Sequence, residues 1–196
     1  MSSAPSATTS PPIAVPYRAA QTRVIAAALE LSSQQGVSGT SLQMIADALG
    51  VTKAAVYHQF NSKDEIILAV ADVEIARLAA AVDAAEAEEC GPQAREVLLA
   101  RVIDLAVERR HVVSTLQTDP VMIRFMARYE PFQRLMDRLF SVLIGKDADA
   151  EARVPAAMLS AAIGGAAAHP LVTNLDDETL RFHLLNLARR LFQLPG

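Results

Sequence analysis

Between Thr40 and Leu49 the apolar residues Leu42, Ile45, Ala46 and Leu49 fall at i, i+3, i+4 and i+7, the spacing of one buried stripe on a short amphipathic helix. Thr40, with Gln43 three residues on, is placed to open that helix as a capping box, and Gly50 to close it in the left-handed conformation. Only Val51 and Thr52 separate it from a second helix, Thr52 to about Phe60, in which Val56 and Phe60 face one way and Ala54 and His58 the other. So short a connection forces a sharp turn and packs the two helices on each other, which is helix-turn-helix spacing. Upstream, Ala20, Val24, Ala27, Ala28 and Leu31 mark one side of a helix from about Tyr17 to Gln35, stopped at Gly36, that would complete a three-helix head.

The pattern then lengthens. From Lys63 to about Glu89 one Ala-rich helix runs without Gly or Pro, opened by a capping box of Ser62 and Glu65, and it is the natural connector to the rest of the chain. Its acidic last turn opposes the helix dipole and is expected to fray. A helix follows from about Pro92 to Arg109 and continues with a bend to Thr118; Asp119-Pro120 starts another to about Tyr129, and Pro131 begins one that ends near Gly145. Residues 153–168 are rich in Ala and Gly, so backbones can approach closely there. Asp176 and Asp177 open a last helix with Leu180, Leu184, Leu187, Ala188 and Leu191 as its stripe. These two C-terminal helices are more apolar than one core needs, which suggests an interface.

Composition supports an all-α protein of about nine helices: 52% of the 196 residues are hydrophobic, Ala and Leu are frequent, and β-branched runs are few. The Ser-, Ala- and Pro-rich residues 1–15 cannot bury enough apolar surface to offset their ordering entropy and are expected to be a disordered tail. The net charge of −4 is unevenly shared. Up to residue 63, Arg18, Arg23, Lys53 and Lys63 outnumber Glu30 and Asp47 by two, so the remainder carries −6. A mildly basic head on an acidic body fits contact with nucleic acid at one end only. The single Cys90 points to no disulfide, no apolar run approaches the ~18 residues of a membrane span, and the N-terminus shows no secretory pattern, so a cytoplasmic protein is expected.

On spacing alone, the helix-turn-helix reads equally well as a DNA-reading head or as a packed helical hairpin with a solvated polar face. Its second helix presents small residues at one end, where a backbone could approach base edges, and donors suited to phosphate at the other. No Gly-rich phosphate loop, H-E-x-x-H or cysteine pair is present, and His58, His111, His169 and His183 are scattered; no catalytic residue, metal or cofactor is expected. Leu105 and the cluster Met122, Phe125, Met126, Tyr129, Phe132 and Met136 could line an adaptable apolar pocket, although each reads as well as core.

Residues 22–67 resemble the N-terminal domain of the TetR/AcrR family of transcriptional regulators. The resemblance is carried by Thr22-Arg23, Ala27 to Leu31, Gly36, Thr40-Ser41-Leu42, Ile45-Ala46, Leu49-Gly50-Val51, Val56-Tyr57, Phe60 and Lys63, in the family's order and spacing. Ala54-Ala55 and Gln59 depart from its usual residues, so base preference does not carry over. The resemblance implies a DNA-binding head at 16–62 and a ligand-binding, dimerising body at 63–196. Its DNA-binding set would be Thr40, Ser41, Thr52, Lys53, Ala54, Ala55, Tyr57, His58 and Lys63. In it Thr40 and Lys63 hold phosphates at helix N-termini, Tyr57 and His58 clamp the backbone, and residues 52–55 face bases. A repressor is implied, bound as a homodimer to a palindromic operator and released by an apolar effector that tilts the long helix. Met158, Ala161, Ala162, Gly165, Leu180, Leu184, Leu187 and Leu191 are the expected dimer contacts. A helical small-molecule-binding protein or enzyme without DNA-linked regulation is the alternative.

Overall fold

The computed structural model describes residues 17–88 and 91–192, so the expected N-terminal tail and Cys90 lie outside it. Ten α-helices and no strand are found among the described residues. They are α1 (Ala19–Gly39), α2 (Leu42–Leu49), α3 (Lys53–Gln59), α4 (Lys63–Glu86), α5 (Pro92–Glu108), α6 (Arg110–Thr118), α7 (Pro120–Met126), α8 (Glu130–Ile144), α9 (Ala150–Ala167) and α10 (Asp177–Leu191), with a 3-10 turn at Pro170–Val172 before the last. The tenth helix arises because the expected bend near Arg109 is a break. Arg109 leaves helical geometry at φ −118° and ψ 26°, and its guanidinium reaches across to the buried carboxylate of Glu74 on α4, with Nε–Oε2 3.2 Å and Nη2–Oε1 2.5 Å.

Two apolar cores form, and α4 belongs to both. In the head, Val24, Ile25 and Ala28 of α1 meet Ile45 and Ala46 of α2, Val56 of α3 and Phe60, closed by Ile66, Ala69 and Val70 of α4. In the body, Ala71, Ile75, Ala79 and Val82 continue along α4 against Leu98 and Ile103 of α5, Leu135 and Leu139 of α8, and inward residues of α9 and α10. Each fully buried Ile or Leu contributes about 1.5–3 kcal/mol. The expected boundary at residue 63 therefore falls where a helix shared by both cores begins. The body also grips α1: this helix does not stop at Gly36 but bends there (φ 79°) and runs one more turn. Val37 sits in the body core, and its N–H donates to Asp119 Oδ2 at 2.9 Å, while Oδ1 of the same side chain caps α7.

Arginines staple the acidic surfaces of the body together. Arg138 of α8 bridges Asp83 and Glu86, and Arg189 of α10 pairs with Glu96 of α5. The bridge to Arg138 sits where α4 ends, at Glu86, three residues before the expected end of that helix.

Candidate nucleic-acid interface

The helix-turn-helix is fixed by local signals, two of which fall one residue from where spacing puts them. Ser41, not Thr40, caps α2, its hydroxyl accepting the Met44 N–H at 3.2 Å. Gln43 donates to Asp47 instead of returning to the cap. Thr40 is 3% exposed; its hydroxyl donates to Gly36 O at 3.0 Å and accepts from Ser32, so its side chain braces the head internally and cannot meet a phosphate. Gly50 takes the left-handed conformation (φ 65°) and returns its N–H to Ala46 and Asp47, as expected. Thr52 then caps α3 by accepting from Ala55 N–H. At α4, Ser62 accepts from Glu65 N–H, but the Glu65 carboxylate takes the backbone and side-chain N–H groups of Asn61, one residue before the expected partner.

These caps present α3 with one face inward and the other bare. Val56 and Phe60 are buried, whereas Thr52, Lys53, Ala54, Ala55, Tyr57 and His58 are all exposed. Lys53 Nζ lies 5.8 Å from the centre of the Tyr57 ring, within cation–π range, so the two side chains form one basic, donor-bearing unit. Lys63 donates to Ser38 O at 3.4 Å, which brings the start of α4 beside the entry to α2 and leaves two of its three ammonium donors for an anion. Small methyls, a cation, a phenol and an imidazole on one exposed helix can follow a phosphate backbone and approach base edges.

Sequence reasoning missed the residues that hold α3 in place. Gln21 Nε2 donates to Gln59 O at 3.3 Å, and the Tyr17 ring packs against Phe60 at 6.4 Å. The Tyr17 hydroxyl donates to Asp72, an α4 carboxylate only 8% exposed, which also accepts from Tyr129 of the body. Burial, and then the charge and hydrogen bond of Asp72, push the Tyr17 hydroxyl up to about 12; the same causes raise that of Tyr129. The available signal was an acid directly between Val70-Ala71 and Val73 on an apolar helix.

In the body, Met122 is fully buried, while Phe125, Met126, Tyr129, Phe132 and Met136 are half-buried against the core, Phe125 and Tyr129 stacking at 5.0 Å. Leu105 is half-buried on α5. Of this set, Met122 touches a cavity of about 20 Å³ between α1 and α4, room for about one water. A larger open groove of about 360 Å³, between Arg95, Leu143, Asp149, Pro155 and Phe192, includes none of them. On α9, Met158, Ala161, Ala162 and Gly165 are exposed, as are Leu187 and Leu191 on α10, with Met158 and Leu187 at 67% and 58%. Val154 stands one turn before Met158 on the same side of α9 and is exposed as well. Leu180 and Leu184 are corrected: they turn inward and pack in the protein's own core, so they offer no surface.

A three-helix head whose third helix is bare, carried on a helical body, has the arrangement of a helix-turn-helix DNA-binding domain. Residues 24–70 match the family described as bacterial regulatory proteins, tetR family. A 48-residue stretch is 52% identical to the HTH-type transcriptional regulator SrpR of Pseudomonas putida, covering 24% of this chain and 22% of that protein. A 43-residue stretch is 51% identical to the HTH-type transcriptional regulator AcrR of Shigella flexneri, covering 22% of this chain and 20% of that protein. The matched stretch thus spans about a fifth of these curated relatives. The whole fold is shared more widely. A tetR-family regulatory protein from Rhodococcus RHA1 superposes with a TM-score of 0.71 at 19% identity, over 91% of this chain and all of that one. NalD, the secondary repressor of the MexAB-OprM multidrug efflux pump in Pseudomonas aeruginosa, does so at 0.60 and 23%, over 87% and 94%. Residues 24–70 thus resemble the DNA-binding domain of TetR-family regulators, and the chain as a whole shares the fold of solved TetR-family structures.

Proposed function

We propose that the protein is a ligand-responsive repressor that binds a palindromic operator as a homodimer in the cytoplasm, with a head at 16–62 and an effector-binding, dimerising body at 63–196. The observation that carries DNA reading is the bare face of α3, where Thr52 to Ala55, Tyr57 and His58 stand out from a buried Val56. Ser41 and Lys63 flank it at the starts of α2 and α4. A single head would bind weakly and with strong salt dependence; two heads spaced about 34–36 Å apart add specificity. The exposed apolar face of α9 and α10 supports pairing, since isolated domains rarely leave so much large apolar side chain in water. Repression is proposed by likeness to NalD. No helix among the described residues is long and apolar enough to cross a membrane. The reading assigns no catalytic step, metal or cofactor.

An apolar effector is proposed for the Leu105 and Met122–Met136 region. Among the described residues, Met122 alone of this set borders the cavity of about 20 Å³, so a larger ligand there has to separate packed side chains, the Phe125–Tyr129 stack among them. It shifts the protein only by binding the DNA-incompetent arrangement more tightly.

Selection of bound duplexes from a random pool, followed by fluorescence anisotropy, tests this. A palindromic site should emerge. Tyr57→Ala and Lys63→Ala should weaken binding to all sequences, with the salt slope of Lys63→Ala flatter by about one. Leu187→Glu should give folded monomers in sedimentation and lose about a hundredfold in operator affinity. Unchanged affinity after Tyr57→Ala would show that α3 is not the reading helix.

A further inference from the structure

Where the two cores meet on α4, Val70 belongs to the head, Ala71 to the body, and the next residue is Asp72. A buried carboxylate accepts hydrogen bonds but donates none, and is costly unless its oxygens are satisfied. Here they are satisfied from opposite sides. Oδ2 accepts from Tyr17, which precedes α1 and packs on Phe60, the residue that ends α3. Oδ1 accepts from Tyr129, the residue before α8, whose ring stacks on Phe125. One carboxylate thus ties the end of the reading helix to the aromatic segment of the body.

Resting on the DNA-binding reading above, we propose that Asp72 is a positioning residue for operator recognition: by accepting one hydroxyl from the head and one from the body, it fixes how the head is carried, and with it the half-site spacing the dimer reads. Loss of either tyrosine hydroxyl strands one buried oxygen. The carboxylate then turns toward water or its remaining partner, and the head loses one of its two ties to that point. Displacement of Tyr129 by an effector has the same result as deletion of its hydroxyl, which gives the proposed effector region a physical route to α3.

The test uses full-length protein, its own selected operator, and duplexes with one base pair added to or removed from the centre. Tyr17→Phe and Tyr129→Phe keep both rings in place. Each should lower affinity for the selected spacing by about fivefold or more and shrink the preference over the altered spacings. The double variant should resemble Tyr17→Phe rather than the product of the singles, because both act through one group. Asp72→Asn, which keeps the shape, should show the same loss of spacing preference. Tyr57→Ala is the control, losing affinity equally at every spacing. If the phenylalanine variants melt earlier yet keep the full spacing preference, Asp72 is a brace only and the proposal fails while the DNA reading stands. If the unmodified protein selects no duplex at all, both fail together.

Discussion

The head and the body bury their apolar residues by different routes. Every residue of the head core lies between Val24 and Val70, where α1 packs on α2, α2 on α3, and α4 returns to α1. The body core gathers Val37 and residues from Ala71 to Ala188, with α5 meeting α4, α8, α9 and α10. The head is therefore built from local signals such as caps, a left-handed glycine and short stripes, whereas the body depends on contacts closed only after long stretches of chain have folded. The two are also unequal in dependence. α4 enters the head core with three residues, Ile66, Ala69 and Val70, but it runs on as a central wall of the body.

That inequality makes the largest prediction asymmetric. Ile45→Ala, at a head position 1% exposed, should cost about 2–5 kcal/mol and abolish the proposed operator binding while the body keeps its helices. Ile103→Ala in the body core should cost a similar amount and destabilise the head as well, since the wall it loosens carries Ile66 and Val70. Circular dichroism melts with anisotropy on the same samples separate the cases. A body variant that melted early yet left operator binding intact would mean the two cores are independent.

The same division explains what could be read from the chain. The head's three helices, Gly50 and the inward turn of Val56 and Phe60 were legible because each depends on residues three or four positions away. The helix order of the body was legible from Pro, Gly and Asp punctuation. Spacing did not reveal the break at Arg109, whose cause is Glu74 on another helix, or the run of α1 beyond Gly36, held by Asp119. The inward turn of Leu180 and Leu184 is similar: a leucine stripe shows which residues share a face, but the depth of the α5–α10 contact decides which part of that face reaches solvent. In the candidate interface, the exposed residues of α3 were found and Thr40 was misplaced, because either of two adjacent hydroxyls can cap and only packing chooses.

A smaller effect sharpens that last point inside the head. Ser41→Ala removes the α2 cap and should cost about 1 kcal/mol. Thr40→Val removes no cap, but it strips Gly36 O and Ser32 of a buried partner, a loss of about 1–3 kcal/mol. Denaturant melts of the two variants order them. A Thr40→Val protein as stable as the parent would show that the hydroxyl contributes nothing to bracing the α1–α2 junction.

The smallest expected effect lies at the seam between the regions. Tyr17 holds its proton more tightly in the folded protein, its pKa raised from 10.0 to about 12 by burial first and by Asp72 second. A raised folded-state pKa means that the associated stability is fully present below pH 10 and is lost as pH climbs from 10 toward 12. Tyr129 is shifted in the same direction by burial and by its bond to the same carboxylate, so its loss begins in that window as well. Both rings keep contact with solvent, and screening holds the effect to a modest slope. Thermal melts between pH 9 and pH 11 should therefore fall more steeply for the parent than for Tyr17→Phe, and least steeply for the protein with both tyrosines replaced by Phe. Parallel curves for all three would mean that neither phenol senses the seam, and that head and body are held by apolar contacts and the Val37–Asp119 bond without help from Asp72.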